Sequence, residues 1–331
     1  MAVDLPKRVV HGGTGKRQQE KTHKTVLDFS ASINPFPPQF EWECTPECLT
    51  YYPDNNYTRL KEQIALTFGR DPDECCVGNG SIELIRVFSS VVLSTGKQYS
   101  VETPTFGEYE LSAQLAGATR AQSPADAAVS FVCNPNNPTG HLRTKTEMQK
   151  ILEGSACDQF LFVDEAFIEL AAPDESLVDV KDDRLFVLRS LTKSFAVPGL
   201  RFGYGFGNPA LIEKIETARP PWSVNAYAEA FALQAFRHMD ALDRSRELIS
   251  AERTWLSRRL SALGFLCDPS SVNYLLVGCG HAATPLVHNL EKLGILVRDC
   301  TSFGLPSSIR IAVRTREENT QLIEALSSCV Q

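Results

Sequence analysis

Four short apolar runs set what this chain can fold into. YSVETP (99–104), AVSFVCNP (128–135), QFLFVDEAF (159–167) and LFVLRSLTK (185–193) turn polar toward their C-terminal ends, and helical spacing appears around them, as in SIELIRVFSSVVL (81–93). A strand that is apolar along its length is covered on both faces, so strands interleaved with helices predict a mainly parallel sheet sandwiched by helices. GLRFGYGFG (199–207) reads as a further strand, followed by helices at 209–218 and 223–263. In such sheets ligands sit beyond the carboxyl ends of the strands. The polar residues of this chain gather at those ends.

The pattern changes near residue 264, where SVNYLLVGC, ILVRDC and SIRIAVR read as short strands, with helices at 283–293 and 316–329. That predicts a small α+β domain beside the large α/β one. The expected organisation is an N-terminal segment, 1–40, joining the small domain and a substrate site; a large domain, 41–220; and a connecting helix with the small domain, 221–331. A chain of 331 residues is long enough for such a pair. The proline-rich NPFPPQFEWECTP (34–46) reads as a loop.

Composition removes several classes of function. A net charge of −7 gives no basic footprint for nucleic acid. Lys16, Arg17, Lys21 and Lys24 cluster, but Glu20 interrupts them, and a solvated arm is expected. No apolar run approaches the ~20 residues of a membrane span, and MAVDLPKRVVHGG lacks the apolar centre of a signal peptide. A cytoplasmic location follows as the expectation. The ten cysteines form no CxxC pair or Cys/His cluster. They read as free thiols, with no metal site.

The strand ends carry the chemistry. Gly78-Asn79-Gly80-Ser81 stands ahead of a helix, where free amides make either an anion site or a plain cap. HGGTGK (11–16) lacks the GxxxxGK[ST] spacing of a nucleotide loop. Asn134-Pro135-Asn136-Asn137-Pro138-Thr139-Gly140 follows a buried strand and holds amide side chains at the sheet edge. Asp164 ends another strand, and a carboxylate buried there needs a cationic or hydrogen-bonding partner. Lys193 sits among hydroxyls and apolar residues, as suits an amine held out of bulk water to condense with an aldehyde. Ser190, Thr192 and Arg201 lie close enough in sequence to bind a phosphate with it. A phosphate site, an amide, a carboxylate and a lysine match the demands of pyridoxal 5′-phosphate (PLP).

NPNNPTG (134–140), VDEAF (163–167) and SLTKSFAVPGLRFGY (190–204) resemble the motifs of PLP enzymes of the aspartate-aminotransferase fold, in the histidinol-phosphate aminotransferase branch. The resemblance runs from His11 to the final helix. It implies that Lys193 condenses with the cofactor aldehyde, Asp164 faces the ring nitrogen and Asn137 meets the phenolic oxygen. Gly80, Ser81, Ser190, Thr192 and Arg201 would hold the phosphate, and Phe106 in PTFGEY would stack on the ring. Tyr57 in YPDNNY would reach the phosphate of a neighbouring subunit, implying a homodimer.

Three features resemble the threonine-phosphate decarboxylases of that branch, which serve cobalamin biosynthesis: HGG (11–13) with LDFSASINPFP (27–37), Phe167 where aminotransferases usually carry tyrosine, and PPWSVN (220–225). With PLP, the Cα bond held perpendicular to the ring plane is the one that breaks, so the anchors of the substrate's charged groups choose the reaction. Arg310 matches the substrate arginine of both enzymes and Arg298 a decarboxylase arginine; Arg314 reads as structural. Arginine binds carboxylate and phosphate bidentately. The resemblance places His11 and Ser32 near a substrate phosphate and Asn34 near the pocket. The implied substrate is a phosphorylated amino acid, L-threonine O-3-phosphate, with a histidinol-phosphate-type aminotransferase using 2-oxoglutarate as the alternative.

Overall fold

The structure, a computed structural model, describes residues 6–22 and 25–330. Lys24 of the basic cluster and the first five residues of the N-terminal segment lie outside the described residues. Among those described, no helix is long and apolar enough to cross a membrane, and the cysteines are free.

The strands in chain order are β1 (Leu27–Asp28), β2 (Cys75–Asn79), β3 (Gln98–Val101), β4 (Thr119–Arg120), β5 (Val129–Cys133), β6 (Phe160–Asp164), β7 (Leu185–Ser190), β8 (Phe202–Phe206), β9 (Leu266–Cys267), β10 (Tyr274–Gly278), β11 (Ile295–Leu296), β12 (Arg298–Asp299) and β13 (Ser308–Ala312). Seven of them form one sheet in the order β2-β8-β7-β6-β5-β3-β4. All neighbours in it are parallel except β8, which is antiparallel to both β2 and β7. The α/β architecture is the one that apolar strands interleaved with helices predict.

Side chains alternate across the strands and so build a core on each face. Leu161, Val163, Leu185 and Val187 face the helices Thr58–Phe68 and Ala226–Ala235. Phe162, Phe186 and Leu188 face the opposite way, onto Phe88 of the helix Ser81–Val92 and Tyr109 of the helix Glu108–Leu115. Two glycines let the Ser81 helix start against the sheet. A Cβ on Gly203 of β8 would lie 2.3 Å from the Ser81 amide nitrogen, and Gly80 has φ +79° with an arginine 2.4 Å from where its Cβ would be.

The remaining strands form a small antiparallel sheet, β12-β13-β10-β9, and the two-stranded parallel pair β1-β11. That pair ties the N-terminal stretch to the C-terminal part, with Leu27 opposite Ile295 and Asp28 opposite Leu296. ILVRDC, read as one strand, is two: Ile295–Leu296 serves β1, and Arg298–Asp299 serves β13. The break sets Arg298 directly across from Arg310.

Candidate active site

A cavity of about 760 Å³ opens beyond the carboxyl ends of β5, β6 and β7, within the usual range for a cofactor or small-molecule site. Asp164, Asn137, Thr192 and Lys193 line it from the large sheet; Arg298 and Arg310 line it from the small one; residues 7–13 border it as an N-terminal strap.

β7 ends where the Ser190 hydroxyl accepts a hydrogen bond from the Thr192 amide, starting the short helix Leu191–Ser194. The strand predicted to run to Lys193 therefore stops three residues earlier, and the turn aims Lys193 into the cavity. Its amine is pulled from 10.5 to about 8, first by desolvation, then by the Arg310 and Arg201 charges, while Asp164 pulls the other way. Asp164 is 4% exposed. Its Oδ2 accepts from the Tyr109 hydroxyl at 2.7 Å and its Oδ1 from the Ala166 amide at 2.9 Å. Burial pushes its carboxyl up to about 6 in spite of those two bonds. A buried carboxylate with neutral donors alone at hydrogen-bond distance suits a cationic ring nitrogen.

Asn137 is buried, and its Oδ1 accepts from Arg310 Nη1 at 2.5 Å, which leaves Nδ2 as the donor end of the amide. Arg310 Nη2 donates to the Ser30 carbonyl at 2.8 Å, its guanidinium lies 5.1 Å from the Tyr274 ring centroid, and its Nε has no partner. Arg298 donates to the carbonyls of Val10 and Asp299 and to Ser302 Oγ, 5.1 Å from the Phe303 centroid. Burial lowers the pKa of both arginines. Two cationic forks held side by side out of water form an anion trap.

At the other end, Ser81, Thr192 and Arg201 line the wall at the start of the Ser81–Val92 helix, where backbone amides favour an anion. Arg201 has φ 61°, a strained value for a residue with a side chain, of the kind found at ligand clamps. Gly80 and Ser190 do not border the cavity; they shape its wall, Gly80 by admitting the Arg201 guanidinium and Ser190 through a 2.8 Å contact with Thr192 Oγ1. Phe106 lines the cavity, its ring 5.5 Å from Tyr109 and edge-on to it. Phe167 lines it too, with Lys193 Nζ 5.9 Å from its ring centroid. His11 and Ser32 are both at the cavity, and Ser32 Oγ is buried with no partner.

Two expectations need correction. Tyr57 is fully buried in its own chain, where its hydroxyl donates to the Val224 carbonyl and accepts from the Val224 amide, both at 3.0 Å, and Arg219 covers its ring. A side chain without exposed surface has nothing to extend to a neighbouring subunit. Tyr51 and Tyr52, about four-fifths exposed, are the tyrosines of that segment that present surface. Asn34 does not line the cavity: its amide donates to the Ser194 carbonyl and accepts from the Phe36 amide, and its backbone N–H donates to the Lys193 carbonyl. It pins the N-terminal stretch to the lysine turn. Arg314 bonds the Asp28 carbonyl and Glu318 and does not line the cavity.

Sequence reasoning passed over Tyr109, Glu108 and Asp28. Tyr109 follows Phe106 by three residues at the start of a helix, one turn on, and that spacing was the available signal. Asp28 shows no such signal; its carboxylate gathers the Ser30 amide and hydroxyl and the Gly15 amide.

The sequence matches the model of the family described as aminotransferase class I and II over residues 45–326. It is 36% identical over 325 residues to a protein of Caldanaerobacter subterraneus subsp. tengcongensis named putative threonine-phosphate decarboxylase, covering 89% of this chain and 88% of the other. It is 33% identical over 297 residues to a histidinol-phosphate aminotransferase of Symbiobacterium thermophilum, covering 84% and 82%. The fold superimposes on a crystal structure of the histidinol-phosphate aminotransferase of Clostridium acetobutylicum with a TM-score of 0.81, at 27% identity over 92% of this chain and 99% of that one.

Proposed function

The chain belongs to the class I and II aminotransferase family and takes PLP as its cofactor, and from that premise we propose that it decarboxylates L-threonine O-3-phosphate to (R)-1-aminopropan-2-ol O-phosphate, for the cobalamin nucleotide loop. The observation that carries the proposal is the cross-strand pair Arg298 and Arg310, each under a tenth exposed, on the cavity wall beneath the strap that bears His11. A substrate with both a carboxylate and a phosphate uses two such anchors; one with a single anion leaves a buried cation uncompensated.

The residues present fit PLP. Bound there, it supplies an electron sink for the pair left at Cα when a substrate bond breaks. Asp164 would face the ring nitrogen and Asn137 Nδ2 the phenolic oxygen. Ser81, Thr192 and Arg201 would hold the phosphate, with Gly80 and Ser190 shaping their cradle, and Phe106 would cover the ring. Lys193 would hold the aldehyde carbon, and as a free amine, held at about 8, it would take or return a proton close to neutral pH. Arg310 orients the Asn137 amide, so the residue that grips substrate also fixes a cofactor contact. Arg298, Arg310, His11 and Ser32 would fix the substrate anions so that the carboxyl bond, not the C–H bond, stands across the ring plane. Phe167 brings no hydroxyl to that wall. Two copies would pair through the exposed Tyr51, Tyr52 and Trp222, where the Tyr52 and Trp222 rings already lie 4.5 Å apart, tilted by 33°.

The histidinol-phosphate aminotransferase reading draws support from the relative at 33% identity. Purified protein supplied with L-threonine O-3-phosphate separates the two. Carbon dioxide and the amino-alcohol phosphate, identified by mass without 2-oxoglutarate, support decarboxylation. Product that forms only with an amino acceptor overturns it.

A further inference from the structure

Glu108 is an acidic residue at the first turn of its helix, 4% exposed, that none of the roles above uses. Its Oε2 accepts from Arg86 Nη2 at 2.6 Å, and its Oε1 lies 3.0 Å from His11 Nε2. A carboxylate this buried is costly unless each oxygen is met. The His11 bond is the largest influence holding Glu108 below the ordinary glutamate range, with Arg86 adding to it against desolvation.

His11 is fixed from both sides. Arg298 donates to the Val10 carbonyl, the Gly13 amide donates to Ser30 Oγ, and Gly12 packs so close to Ser30 that a Cβ would lie 2.4 Å from its carbonyl oxygen. The imidazole is about half exposed on the cavity wall, 6.0 Å from the Phe106 ring. With Nε2 turned to the carboxylate, Nδ1 makes no hydrogen bond among the described residues. A carboxylate on one ring nitrogen fixes the orientation of the ring and leaves the other nitrogen to meet a ligand.

We infer that Glu108, braced by Arg86, is a positioning residue: it sets the His11 ring so that the strap turns Nδ1 to the phosphate of the substrate and makes that phosphate a condition of tight binding. This rests on the proposed role of His11 at the substrate phosphate. The charged groups around the imidazole are Glu108 and Arg86 from the helices and, on the walls of the same cavity, Lys7, Arg8, Asp28, Glu110, Asp164, Lys193, Arg201, Arg298 and Arg310. Glu108 is the carboxylate among them in contact with the ring.

The test is steady-state turnover of L-threonine O-3-phosphate by the holoenzyme, read as KM against kcat, beside equilibrium titration with L-threonine followed by the cofactor's absorption. Glu108→Gln keeps the size of the side chain and an acceptor but removes the charge. It should weaken the phosphorylated ligand about tenfold, the loss of one charge-assisted hydrogen bond, and L-threonine should bind as before. In a His11→Asn background the same substitution should add nothing. Arg86→Gln, on a partly exposed side chain, removes the brace on Glu108 and should weaken the phosphorylated ligand by less, and it serves if Glu108→Gln does not fold. Equal weakening of both ligands makes the contact merely structural and overturns the inference. Wild-type protein that does not distinguish the two ligands overturns the reading of His11 beneath it.

Discussion

Replacing Lys193 with methionine should stabilise the cofactor-free protein at neutral pH, although most substitutions at enclosed positions destabilise. The amine is held at about 8 against 10.5 for a free lysine, with desolvation the first cause and the Arg310 and Arg201 charges next. The folded chain thus binds this proton more weakly than the unfolded chain. Below about 8 both states are protonated and the folded state bears the whole cost of enclosing the charge. Between 8 and 10.5 the unfolded chain keeps a proton that the folded chain has released, so stability climbs with pH, and above 10.5 the cost is gone. A drop of about 2.5 at 1.36 kcal/mol each gives roughly 3 kcal/mol, an upper figure because Lys193 is partly exposed and solvent screens the charge. Methionine keeps an unbranched apolar stem and most of its packing. Urea unfolding of both apo proteins at pH 7 and pH 10.5, followed by circular dichroism, measures the difference. The expected result is a gain of about 2 to 3 kcal/mol at pH 7 that fades toward zero at pH 10.5. A variant no more stable at pH 7, or equally stabilised at both, means that the cavity does not depress the amine. The view of Lys193 as an amine kept ready for condensation then fails. The same variant should lose turnover, since enclosing this charge is a cost borne for function.

Gly203→Ala should lower both stability and PLP affinity, because its Cβ meets the Ser81 amide nitrogen at 2.3 Å and the Gly80 carbonyl carbon at 2.7 Å, forcing the phosphate-facing helix off the sheet; thermal unfolding with and without PLP reads both, and unchanged PLP affinity refutes it. Tyr109→Phe keeps the ring against Phe131 and Phe106 but removes the 2.7 Å bond to Asp164. That bond favours the charged carboxylate, so its loss should raise Asp164 above about 6 and weaken PLP binding about tenfold near that pH, with less effect at pH 8; a PLP titration at both pH values checks it.

The large sheet was legible because burial on both faces leaves a signature that needs no knowledge of pairing. Val129–Cys133, Phe160–Asp164 and Leu185–Ser190 fall inside the predicted runs, and the helix at 209–218 has the predicted bounds. Lys193, Asp164, Asn137 and Thr192 meet at one cavity because parallel strands end at one edge, so four separate motifs become neighbours through topology alone. β2 was less visible, since Cys75-Cys76-Val77 is a short run that a glycine follows at once. The strand through LFVLRSLTK was overrun because a hydroxyl cap, not a change in hydropathy, ends it at Ser190.

What the sequence hid are facts of pairing and of rotation about a turn. Arg298 and Arg310 lie in separate segments, and their apposition depends on where ILVRDC leaves β1 to join β13, which no periodicity records. Tyr51, Tyr52 and Tyr57 are alike in composition and lie within one turn-rich stretch. The left-handed backbone of Tyr57, φ 50° just before the helix Thr58–Phe68, accompanies a ring turned inward onto Val224 and Arg219, while Tyr51 and Tyr52 stay outside. A motif can say that a tyrosine belongs near a cofactor. Which of three tyrosines can leave its own core is decided by the dihedral angles of the turn and by the carbonyl waiting for the hydroxyl.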